Sequence, residues 1–150
     1  MENLLLLPVL KPDINKFEEA YEVAGDIGID YGGEAIKVPK FFQYDGASIP
    51  PPAWQAIGTP FQPRFMLAAV FHDWLYHTHQ LKKQKPTDQL FYELLLQSGV
   101  NKARAAMMLA AVRLAGASYW KNDPDDEAYL LRLAERILAD GRDPADYGMS

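Results

Sequence analysis

Cysteine is absent from this chain of 150 residues, which excludes a disulfide-framed fold, a thiolate zinc centre and a cysteine nucleophile. Any metal must then use His, carboxylate or carbonyl ligands. Positive charge is in deficit: 15 Lys and Arg stand against 20 Asp and Glu, a formal charge of −5. That balance argues against a protein that wraps duplex nucleic acid, where phosphate contacts need concentrated Lys and Arg. Long apolar runs are missing too. No stretch reaches the roughly 18 apolar residues of a membrane-crossing helix, so no transmembrane segment is expected. Residues 4–7 are apolar, but no Lys or Arg precedes them and Pro8 interrupts them, unlike a signal peptide.

What is present suffices for a core. Hydrophobic residues make up 49% of the chain, and a domain of this size buries about 68–70% of its unfolded surface. One domain over residues 1–150 is expected. Residues 1–42 are β-rich, with short apolar or alternating stretches at 4–10, 17–23, 27–31 and 35–38. Gly32 and Gly33 supply the positive-φ turn of a hairpin between the last two. Residues 43–63 carry Pro50, Pro51, Pro52, Pro60 and Pro63 and read as an irregular loop, of a length that is usually functional. From Arg64 the period turns helical. One helix runs to about Thr78. A second, opened by Pro86-Thr87, covers 88–97 and stops at Gly99. Asn101 caps a third over 102–118, whose Ala103, Ala106, Ala110 and Ala111 suggest close helix contacts. A fourth covers 125–140 and stops at Gly141, leaving 141–150 as a tail. The fold class expected is α+β, a small antiparallel sheet followed by a bundle of about four helices.

The segment Phe71-His72-Asp73-Trp74-Leu75-Tyr76, followed by Asp88 and Phe91, carries the chemistry. His72 and Tyr76 lie four apart and share a helix face, while Asp73 projects about 100° away. If the next helix returns antiparallel, Asp88 reaches His72, and Tyr76 bonds the same carboxylate. Such a carboxylate fixes the ring's tautomer and leaves the other nitrogen to activate water. The competing interpretation is a satisfied polar cluster, since unpaired polar groups in so apolar a helix are costly. A second cluster is Tyr44-Asp45-Gly46-Ala47-Ser48. It reads either as a capped turn or as a loop in which Asp45 joins Asp73 around a divalent cation and Gly46 permits close backbone approach. Ser48 lacks the elbow of a Gly-x-Ser-x-Gly nucleophile. Phosphohydrolases with an isolated His before the His-Asp pair do not fit, because no His precedes His72. Lys82, Lys83 and Lys85, with His77 and His79, form a basic patch able to meet phosphate or simply solvated.

These motifs resemble the phage and prophage family known as domain of unknown function 1353. Its pattern runs from Val38-Pro39 through Phe42 to Asp45-Gly46-Ala47-Ser48-Ile49-Pro50. It continues in the His72-to-Tyr76 helix, Asp88, and the late Val112-Arg113 with Gly116. The resemblance implies a phage accessory or virion-associated protein, a tail or baseplate component or a host-factor binder. Its partners would be other virion proteins or a host protein, and its location the virion or the host cytoplasm. The His-Asp-x-x-Tyr helix is also similar to phospholipase A₂ of the parvovirus capsid type. By that likeness His72 is the general base, Asp73 a Ca²⁺ ligand, Asp88 the orienting carboxylate and Tyr76 its support, with a lipid or other ester as substrate. Two functions are therefore expected: a virion accessory protein with a buried His/Asp cluster, or a calcium-assisted esterase.

Overall fold

The structure, a computed structural model, describes residues 6–8, 21–44, 63–120 and 124–149. The architecture is α+β, with antiparallel strands first and four helices after. Two compact units make up the chain, residues 1–45 with 122–150, and residues 46–121.

In the first unit, β1 (Leu6–Pro8), β2 (Tyr21–Val23) and β5 (Gln43–Tyr44) form an antiparallel sheet in the order β1-β2-β5. Leu6 lies opposite Val23, and Tyr21 opposite Tyr44. The hairpin of β3 (Ile27–Tyr31) and β4 (Glu34–Val38) pairs Ile27 with Val38 and Tyr31 with Glu34. Gly32 and Gly33 turn it at φ 58° and 83°, the left-handed pair that matches strand twist. Ile36 and Val38 face inward while Ala35 and Lys37 face out, the period-2 alternation of a half-buried strand. Residues 43–44, which the sequence assigns to the irregular loop, are instead a short buried strand. Phe41 at φ 83° redirects the chain so that backbone bonds join Val23 to Phe41 and Phe42, and β2 supplies the edge.

The fourth helix, α4 (Pro124–Ala139), belongs to this strand unit and not to the helical one. Its buried Asp126, Tyr129, Leu133 and Ile137 form one stripe, and Asp125, Asp126 and Glu127 in its first turn complement the helix dipole. The Tyr129 hydroxyl accepts from the Gln43 amide at 2.7 Å, and Arg136 pairs with Glu22 at 3.0 Å. Residues 141–150 also differ from a simple tail. A 3-10 turn at Pro144–Tyr147 sends the Tyr147 hydroxyl to Asp26 at 2.6 Å, beside Arg142 and the Lys40 amide on the same carboxylate. Burial pushes the Asp26 carboxyl up, but these three donors outweigh it and hold it below its ordinary value. Burial and the Asp26 charge push the Tyr147 hydroxyl up to about 12.

The second unit packs α1 (Pro63–Thr78) on α2 (Gln84–Gln97), and α2 on α3 (Lys102–Trp120). Helix α1 is buried continuously from Ala68 to His77, so it has no polar face over those turns and His72 and Asp73 sit in the core. His79 and Lys82 adopt φ 54° and 65° in the turn, which brings α2 straight back along α1. Helix α2 begins at Gln84, four residues before the start read from Pro86-Thr87. Pro86 is the third residue of the first turn, where its missing N–H has no helical partner to lose. Asn101 caps α3 by accepting from the Arg104 amide at 2.8 Å, as its position before the helix predicts. Ala105, Met108 and Val112 are buried and face the unit, whereas Ala103, Ala106 and Ala110 lie on the exposed side with Met107 and Leu114. Three of the four alanines expected at close helix contacts are thus on the opposite face, and Ala111 is half-buried.

Candidate functional site

His72 and Tyr76 stand one turn apart on α1, and Asp88 stands in the second turn of α2 facing them. The His72 Nε2 lies 2.7 Å from Asp88 Oδ1, and the Tyr76 hydroxyl donates to the same oxygen at 2.7 Å. An ionised carboxylate only accepts, so His72 donates to it from Nε2. Gln84, one turn before Asp88, directs its Nε2 at Asp88 Oδ2 from 3.5 Å. His72 is 1% exposed and Asp88 fully buried. The imidazole is held by rings as well, Tyr76 at 4.2 Å and Phe91 at 4.8 Å between centroids. Trp120 meets Tyr76 edge-on and stacks flat against His79, the imidazole at the end of the helical turn.

Burial decides the charge state of this group. It lowers the His72 pKa, and although the bond to Asp88 and its charge work the other way, burial prevails. Burial likewise raises the Tyr76 pKa, with Asp88 adding to it, so the hydroxyl stays a donor. One consequence is measurable. The unfolded His titrates near 6.5, so below that pH the unfolded chain takes up a proton that folded His72 refuses. Stability contributed by neutral His72 is complete above pH 6.5 and declines as pH falls toward the lower folded value, by at most about 1.4 kcal/mol per pH unit. Urea titrations from pH 8 to pH 5 should show this slope in the wild type and a shallower one in His72→Gln. Equal slopes would refute a depressed His72.

Gly116 explains why α3 can approach. A Cβ there would lie 2.2 Å from Gln84 Nε2 and 2.6 Å from the Tyr76 hydroxyl, so glycine is the notch that seats both donors to Asp88. Gly116→Ala should cost about 1–3 kcal/mol through overpacking, and Gln84→Ala in the same chain should recover part of it by clearing the nearest contact. Thermal melts of the single and double variants check this; a double variant no more stable than Gly116→Ala contradicts it.

Of the residues singled out by sequence, His72, Tyr76 and Asp88 meet in one cluster. Asp73, adjacent to His72, is 1% exposed. Asp45, Gly46 and Ser48 lie outside the described residues. Among the described residues, no group of three or more His, Asp or Glu side chains is arranged to hold a metal ion. Gln84 and the role of Gly116 were not found from the sequence. The i, i+4 spacing of Gln84 and Asp88 is the signal for the first, hidden by starting α2 at Asp88. Arg113, one turn before Gly116, joins Gln84, Lys85 and Asp88 in lining a cleft of about 270 Å³.

The family model described as "Protein of unknown function (DUF1353)" matches residues 21–112. The chain belongs to the DUF1353 family. The matched span of this DUF1353 protein holds His72, Asp73, Tyr76 and Asp88 and ends just before Arg113. "Uncharacterized protein y4iH" of Sinorhizobium fredii is 35% identical over 88 residues, 59% of this chain and 36% of its own length. "Uncharacterized protein y4jT" of the same organism is 32% identical over 100 residues, 66% of this chain and 30% of its own length. The DUF1353 chain thus spans about a third of the length of these curated relatives. No solved structure matches it. No helix among the described residues is long and apolar enough to cross a membrane.

Proposed function

We propose that the His72–Asp88 pair is the general-base unit of an ester hydrolase. The observation that carries this is the 2.7 Å bond from His72 Nε2 to a fully buried carboxylate. It orients the ring, while burial favours the unprotonated imidazole near neutral pH. A base of that kind contributes about 10²–10⁴-fold. In the reaction, the His72 imidazole takes a proton from water as the water oxygen bonds to the ester carbonyl carbon, and the carbonyl π pair moves onto oxygen. Collapse of the tetrahedral adduct restores the carbonyl and breaks the bond to the alcohol oxygen, which takes the proton back from His72. The products are a carboxylic acid and an alcohol. Tyr76 and Gln84 hold Asp88, and Asp88 holds His72.

A second function is favoured by one observation: His72, Asp73 and Asp88 are each at most 1% exposed, as in a cluster whose task is to order a core. In that case the chain is a non-catalytic accessory protein, of phage origin by its resemblance, and the site binds nothing. The test is release of acid from a panel of neutral and anionic esters, phospholipids included, with and without millimolar Ca²⁺. Hydrolysis that follows His72 supports the base. A folded wild type inert toward the whole panel refutes it and leaves the accessory role. Dependence on Ca²⁺ that is abolished by Asp73→Asn would add the metal, with Asp73 and Asp45 as its ligands.

A further inference from the structure

We propose that the cleft beside Asp88 is an oxyanion subsite, built to take a phosphate group of the substrate; the link to substrate rests on the hydrolase proposed above, while the binding itself does not. The chain as a whole is acidic, at −5, yet the cleft is lined by Arg113 from α3 and Lys85 from α2, together with Gln84 and Asp88. Among the described residues neither cation has an ion-pair partner. The carboxylate they approach accepts from the neutral donors His72, Tyr76 and Gln84 and keeps its charge, so the two cations balance it with one positive charge left over.

Two different helices thus bring two cations and one carboxylate to one recess, a net positive charge. Arg113 presents a planar donor fork matched to two oxyanion oxygens, and Lys85 adds a point charge. The first turn of α2, which holds Gln84 and Lys85, adds the positive end of the helix dipole, with Lys83 at its N-cap making no side-chain hydrogen bond. Lys82 and Lys83 are exposed in the preceding turn and raise the local potential further. At about 270 Å³ the recess is just below the small end of ligand sites, roughly 300–1,000 Å³. That suits a headgroup-sized portion and not a whole lipid. Gln84 links the subsite to the base, since its amide lines the cleft and faces Asp88.

The probe is inorganic phosphate, titrated by calorimetry and by amide shifts of residues 84–88 and 113, with chloride at equal ionic strength as control. Saturable binding is expected in the wild type, weakened at least about tenfold by Arg113→Gln and again by Lys85→Gln, the loss of a charge-assisted bond. Both residues are exposed, and melting curves should match the wild type. Vesicles of phosphatidylglycerol against phosphatidylcholine form the second arm. Arg113-dependent binding to the anionic vesicles alone assigns the phosphate to a lipid headgroup, and Arg113-dependent binding of free phosphate assigns it to a soluble ester. No binding in either arm, or binding indifferent to Arg113 and Lys85, overturns the subsite. His72→Gln should bind phosphate as the wild type does. Phosphate binding with no esterase activity therefore removes the hydrolase and keeps the subsite, and hydrolysis by a chain that binds phosphate in neither arm does the reverse.

Discussion

His72→Gln should lower ester hydrolysis by at least about two orders of magnitude, within the usual range for loss of a general base, while the fold survives. Glutamine keeps a side-chain N–H able to donate to Asp88, so the cluster loses its base and not its hydrogen bond. The comparison is made at equal folded fraction, with initial rates across pH 5–9. In the wild type, activity requires neutral His72, so the acid limb of the profile should lie below 6.5, the ordinary His value, because burial depresses the ring. The limb should vanish in the variant. A variant that hydrolyses as fast as the wild type assigns the base elsewhere, and a wild type with its acid limb above the ordinary His value contradicts the depressed pKa.

How much of this was open to sequence reasoning depends on the range of the interaction. The spacing of His72 and Tyr76 is local, and helix geometry alone puts them on one face. The partnership with Asp88 follows once the intervening turn is short, because neighbouring helices joined by short connections run antiparallel. The hairpin at Gly32-Gly33 and the Asn101 cap are equally local and appear where their residue types require. What escaped was set by tertiary approach. Gly116 looks like a mild helix weakener until α3 is laid against Tyr76 and Gln84, when its missing Cβ is what leaves room for both. Gln43 and Tyr44 have no strand signal of their own, being two residues after a proline-led turn, and pair only because β2 offers an edge. The alanines of α3 show the reverse error. Their small size suggested contact, but size does not say which face packs, and Ala105, Met108 and Val112 decide that. Residues 141–150 contain Asp143-Pro144, a start signal for a turn, yet the anchor at Asp26 lies more than a hundred residues away in sequence.

Asp88→Ala should be the most destabilising single substitution in the helical unit, by about 2–5 kcal/mol. It removes the acceptor for the His72 Nε2–H and the Tyr76 hydroxyl, and each buried donor left unsatisfied costs about 1–3 kcal/mol, with a small void added. Chemical denaturation of the variant measures it; a loss under about 1 kcal/mol would mean that water or another group replaces the carboxylate. The more informative experiment replaces the whole cluster with apolar groups, His72→Leu, Tyr76→Phe and Asp88→Leu together. Buried polar networks are seldom the most stable way to fill a core, and matched apolar replacements are often neutral or stabilising by about 1–4 kcal/mol. If the cluster exists for chemistry, the triple variant should fold at least about as stably as the wild type and be inert toward esters. If it exists to hold α1 and α2 in register, the triple variant should be less stable than the wild type or lose its sharp cooperative transition, since Leu and Phe specify no unique pairing. The two roles thus predict opposite signs for one measured difference in unfolding free energy.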